Sequence, residues 1–137
     1  MTFPWRALGR WPLGGLFCLS GVGHFAATAV YLKMMPPELP AHRELVLLSG
    51  AAELTFGVLL FSPRHERLAA WGLIALLLAI FPANLQMARA AGTAASPFPS
   101  VTPFWAYARL PLQAVFLWWA YQYARPKAQA LPGPDGV

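Results

Sequence analysis

LAAWGLIALLLAIFPANLQM, residues 68–87, runs for twenty positions without one charged side chain. A helix needs roughly 20 residues to cross the hydrocarbon of a bilayer, and this stretch has that length and composition. Its left boundary is Ser62-Pro63-Arg64-His65-Glu66-Arg67, a charged, proline-containing break. On the far side of that break a second apolar run extends back from Phe61 to about Glu44. A third covers Trp11 to Leu32, behind Arg6 and Arg10, and a fourth goes from Phe104 to Tyr123, just before Arg125-Pro126-Lys127. Barrel strands alternate apolar and polar residues, and none of these runs does.

The expected fold is therefore an all-α membrane protein, with four transmembrane helices in an antiparallel up-down bundle. The spans fall at about 11–32, 44–61, 68–87 and 104–123 of a single domain, residues 1–125, and residues 126–137 form a disordered tail. The first run also begins as a secretory signal does. Its length beyond the usual 7–15 apolar residues, and the lack of a small-x-small cleavage site, favour a retained span.

Composition supports this class. The 137 residues are 58% hydrophobic and 11% charged, against about 25% charged in an ordinary soluble domain. The single cysteine, Cys18, leaves no internal disulfide, CxxC pair or cysteine-built metal site. The net charge of +5 is carried at the ends of apolar runs and not on one shared face, which argues against nucleic acid. Three histidines, His24, His42 and His65, lie on separate segments without ligand spacing, so no metal is expected.

Lys and Arg set orientation by gathering on the cytoplasmic side. Arg6, Arg10, Arg64, Arg67, Arg125 and Lys127 fall on one side, and Lys33, Arg43 and Arg89 on the other. Both termini are therefore expected inside, in a bacterial inner membrane. Trp118, Trp119, Tyr121 and Tyr123 crowd the expected inner end of the fourth run, as interfacial rings do. Outside, Met34-Met35-Pro36-Pro37-Glu38-Leu39-Pro40 and the proline-rich segment 95–103 are stiff. They serve either as connectors or as lids over the bundle.

Polar residues inside the runs carry the functional signal, because charged groups at membrane depth are costly and mark function. Ser20, His24 and Thr28 recur every four residues on one helical face, as do Ser49 and Glu53, and then Arg109 and Gln113. Asn84 and Gln86 follow Pro82, which cannot donate to the helix ladder. With a rise of about 1.5 Å per residue, His24, Glu53, Asn84, Arg109 and Gln113 all fall in the outer half. Glu53 is expected to pair with Arg109, the other three satisfying what remains. Two readings stay open. The cluster is either structural glue between helices, or it lines a cavity for a small amphipathic ligand such as a quinone. Glu and Arg together exceed what glue requires, which favours a site. Glycines 14, 15, 21, 23, 50, 57 and 72 point to close helix approach. No phosphate loop, nucleophile elbow or paired catalytic carboxylates occur, so no catalytic residue is assigned and a stand-alone enzyme is not expected.

Gly23-His24-Phe25, Met35-Pro36-Pro37-x-Leu39-Pro40, Leu48-Ser49-Gly50-x-x-Glu53-x-x-x-Gly57, Phe81-Pro82-Ala83-Asn84-x-x-Met87 and Arg109-Leu110-Pro111-x-Gln113 together resemble the DoxX-like membrane proteins. The resemblance runs from about Gly21 to Tyr121. It implies a four-helix membrane fold with His24, Glu53, Asn84, Arg109 and Gln113 at the family's characteristic polar positions. It also implies association with quinone-linked redox systems or membrane-protein assembly. The chain lacks the cysteine pair a thiol-exchange role would need. The leading expectation is an accessory or ligand-binding subunit of a membrane redox system, with quinone as the conceivable cofactor. Its partners would be the lipid bilayer and a membrane or periplasmic protein, and it could be oligomeric. A membrane-assembly factor and a small oligomeric proton-coupled transporter are the alternatives.

Overall fold

Pro36, Pro37 and Pro40 keep the chain out of helix between Leu32 and His42, and Pro63 stands in the turn after Leu60, so the apolar runs become separate rods. The computed structural model describes residues 5–96, 98 and 102–126. Its elements are α1 (Trp5–Ala26), α2 (Thr28–Leu32), α3 (His42–Leu60), α4 (Glu66–Ala90) and α5 (Pro103–Ala124), with no strand among the described residues. Neighbouring long helices run antiparallel. Gly14 faces Gly57 and Gly21 faces Gly50 across α1 and α3. On α4 and α5, Trp71 meets Tyr121 while Met87 lies near Arg109. Phe17 against Phe116 closes the ring between α1 and α5. The expected tail lies outside the described residues from 127 onward, as does most of the second proline-rich connection (97 and 99–101).

The helices follow the apolar runs closely, but the expectation of four membrane spans is overturned. Among the described residues only α4, 25 residues long, is long and apolar enough to cross a membrane. At about 1.5 Å per residue it measures roughly 37 Å. The other long helices carry too much polar and weakly apolar material. Arg6 and Arg10 are inside α1, not ahead of it, because that helix starts at Trp5. The first turn of α3 is His42-Arg43-Glu44, with Glu53 further in, and α5 holds Arg109, Pro111, Gln113 and Gln122. The first expected span, 11–32, is not one rod at all. Ala27 leaves helical geometry at φ −128° and ψ 39°, and the Thr28 hydroxyl donates to the carbonyls of His24 (2.7 Å) and Phe25 (3.1 Å). Such side-chain bonds compete with the backbone ladder.

One half of the bundle is dry. Leu13, Leu60 and Leu73 are fully buried there, with Ala69, Ala70, Ala120 and Tyr123 filling between them. At the end of this half Glu66, 5% exposed, lies 3.7 Å from both Arg6 and Arg10, tying α1 to the first turn of α4. Arg6 also sits over the Tyr123 ring and donates to the Arg125 carbonyl (3.3 Å), bringing both ends of the described chain together. Glu66→Ala would leave two arginines facing one another with this carboxylate gone. It should cost about 2–3 kcal/mol, read as a lowered melting temperature by circular dichroism, with Glu66→Gln losing less because it keeps the volume. The outer surface is strongly apolar: Trp5, Leu19, Leu48, Leu68, Phe104, Trp105 and Trp118 are all more than 60% exposed.

Candidate functional site

The other half of the bundle encloses a cavity of about 630 Å³ between α1, α2, α3, α4 and α5. That volume falls within the roughly 300–1,000 Å³ typical of small-molecule sites. All five residues of the expected polar cluster line it: His24, Glu53, Asn84, Arg109 and Gln113. Ser20 and Ser49 line it too, and Leu16, Phe17, Leu77, Ile80, Leu112 and Phe116 make the wall largely apolar. Thr28 is not part of the lining and serves the helix break instead. Gln86 borders a separate recess of about 220 Å³ beside Lys33.

The pairing inside differs from expectation. Glu53 meets His24, not Arg109: Nε2 of His24 is 3.6 Å from Oε1 of Glu53. Among the described residues no carboxylate lies within 4 Å of the Arg109 guanidinium. The physical reason is rotational. Helical spacing fixes how deep a residue lies, but the close approach of Gly21 to Gly50 turns the His24 face of α1 onto the Glu53 face of α3. Arg109, on α5, instead reaches the thioether sulfurs of Met87 (3.6 Å) and Met34 (3.7 Å) through Nη1.

The proton positions around His24 follow from its neighbours. Its Nδ1 is 2.8 Å from the Val46 carbonyl, which can only accept, so Nδ1 carries a proton and donates. The Ser49 hydroxyl, 3.2 Å from the same nitrogen, donates to that carbonyl as well (2.9 Å). The other ring nitrogen, Nε2, is the one turned towards Glu53. Both residues are under 8% exposed. Oε2 of Glu53 is buried with no hydrogen-bond partner, and a buried polar atom left unsatisfied costs about 1–3 kcal/mol.

On the opposite wall, Asn84 donates through Nδ2 to Oε1 of Gln113 (2.8 Å), and Gln113 donates through Nε2 to the Leu77 carbonyl (2.5 Å). Pro82 supplies no N–H to α4, which leaves the Leu78 carbonyl without its helix donor, next to the Leu77 carbonyl that takes the Gln113 bond. The mouth is bounded by the α2–α3 connection, since Met34 and Met35 line the cavity. His42 holds that connection at the Pro36 carbonyl (3.0 Å), and Ala41, at φ 53°, turns it sharply into α3. Tyr31 lies over the His24 ring at 3.9 Å between centroids.

Tyr31, Met34 and Met87 were not legible as site residues, because the break at Ala27 re-aims Tyr31 and the sulfurs carry no charge signal. The Arg6–Arg10–Glu66 cluster was read as a topology signal. Arg6 and Arg10, one turn apart, were the clue that a partner waits on another helix. Among the described residues no group of three or more His, Cys, Asp or Glu side chains is placed to hold a metal.

No curated protein and no solved structure matches the chain. A family model described as a domain of unknown function, DUF8561, matches residues 13–124, a segment that contains every residue of the cavity wall; the chain belongs to that family.

Proposed function

We propose that this protein binds a small amphipathic molecule of the quinone type in its cavity, as an accessory subunit of a redox system in a bacterial inner membrane. Kinship with DoxX-like proteins is part of the proposal and rests on the motifs alone. The observation that carries the reading is the partnerless buried oxygen of Glu53 in the wall of an otherwise apolar cavity. A ligand O–H or N–H, such as the hydroxyl of a quinone's reduced, quinol form, would supply the missing donor. A ring with one polar edge suits such walls, its apolar body against Phe17, Leu77 and Phe116. The apolar exterior supports contact with lipid or a membrane partner, since soluble monomers rarely expose large contiguous apolar patches.

Thermal unfolding of the purified protein with a short-chain ubiquinone held in its reduced, quinol form, whose hydroxyl can donate to Glu53, tests this, alongside mass spectrometry of whatever organic solvent extracts from it. Ligand at a hundredfold excess over Kd should add about 2.7 kcal/mol and raise the melting temperature by several degrees. No extracted small molecule, together with no stabilisation by any amphipathic compound tried, would end the proposal.

A further inference from the structure

We propose that the cavity's ligand carries, besides the polar edge that serves Glu53, a single acidic group against Arg109 at the mouth, its apolar body lying along the walls between them. This rests on the cavity being a ligand site and adds the ligand's charge. The ionisable residues in the lining are His24, Tyr31, Glu53 and Arg109. Glu53 already has His24 beside it, at 3.6 Å, and a tyrosine phenol brings no positive charge. Arg109 is the ionisable residue of the lining with no carboxylate within 4 Å among the described residues. Its contacts are the sulfurs of Met34 and Met87, which are weak acceptors without charge.

Position agrees with charge. Arg109 is exposed, while Gln113, one turn further along α5, is 4% exposed and Glu53 is 3% exposed. The guanidinium thus stands at the exposed end of the cavity. Lys33 borders the adjoining recess, which shares Met34 and Met35 with the cavity wall. A guanidinium presents a planar fork that matches a carboxylate or phosphate, and charge-assisted hydrogen bonds of this kind are the strong ones. The acid could belong to a free amphipathic acid or to the headgroup of a bilayer lipid with a chain in the cavity.

The test uses the full chain in phosphatidylcholine nanodiscs, with native mass spectrometry and thermal unfolding as readouts. Dodecanoate should bind at least about tenfold more tightly than dodecan-1-ol, the worth of one charge-assisted contact. Arg109→Gln should erase that preference by lowering the acid's affinity by a much larger factor than the alcohol's, and Arg109→Lys should keep part of it. Competition by phosphatidylglycerol would support the anion and identify it as a lipid headgroup; lack of competition, with dodecanoate still preferred, would support a free acid. Equal binding of acid and alcohol, or a preference that survives in Arg109→Gln, would overturn the inference while the cavity remained a ligand site. Failure of dodecanoate, dodecan-1-ol and short-chain ubiquinone alike to bind would remove the ligand reading itself.

Discussion

Gly21→Ala should push α1 away from α3 and cost about 3 kcal/mol, whereas Gly15→Ala, six residues earlier on the same helix, should cost nothing. A Cβ on Gly21 would stand 2.8 Å from the Gly50 carbonyl oxygen and 2.8 Å from the Leu54 nitrogen. These are backbone atoms and cannot rotate aside. The contact repeats seven residues along each helix, where a Cβ on Gly14 would meet the Gly57 carbonyl oxygen at 2.8 Å. Small residues at such a seam let helix backbones approach closely, and closeness is what dispersion rewards. Gly15 faces away, with nothing within 4 Å of its Cβ position. Alanine there should be neutral or stabilise by up to about 1 kcal/mol through the loss of glycine's backbone freedom. Thermal unfolding of the two variants side by side is the measurement. Equal melting temperatures would mean that the α1–α3 seam does not depend on the glycines. The seam also sets the site, because a Cβ on Gly50 would sit 2.4 Å from that of His24. Gly21→Ala should therefore weaken ligand binding as well as the fold.

The sequence made the rods plain and the membrane count misleading for one reason. Apolar runs bounded by proline and charge mark where helices lie: the run at 68–87 sits inside Glu66–Ala90, and the run at 104–123 inside Pro103–Ala124. Whether a helix can cross hydrocarbon depends on the sum over its residues, and here the polar side chains that build the cavity lower that sum in α1, α3 and α5. The same residues thus disclosed the site and undid the span count. Position along each helix was legible, so the sequence groups His24, Glu53, Asn84, Arg109 and Gln113 in one half of the bundle, and all five line the cavity. Pairing was not. It depends on rotation about each axis, set by contacts between residues far apart in the chain, Gly21 with Gly50 and Gly14 with Gly57. Opposite charges in the same half of the bundle suggest Glu53 with Arg109, yet Glu53 meets the histidine. The Cys18 sulfur lies against the Leu54 carbonyl at 3.9 Å within the seam.

A double-mutant cycle should place the coupling energy on His24 and Glu53, with none on Arg109 and Glu53. Glu53→Ala should destabilise by about 3 kcal/mol, since removing one partner of a buried pair strands the other. His24→Ala should cost a similar amount, losing the Val46 bond and the Tyr31 contact as well. Combining them should cost less than their sum by about 1–3 kcal/mol, the usual coupling for residues in direct contact. Arg109→Ala should stay within about 0.5 kcal/mol of the parent, because an exposed guanidinium against two thioethers has little to lose on truncation. Its effect with Glu53→Ala should be additive. Measured by unfolding in detergent, these cycles separate the two pairings directly: coupling between Arg109 and Glu53 would restore the pairing that depth alone suggested. Additivity there, with coupling at His24, leaves the guanidinium uncommitted to any carboxylate of the cavity, and that is the condition under which it can take charge from a ligand.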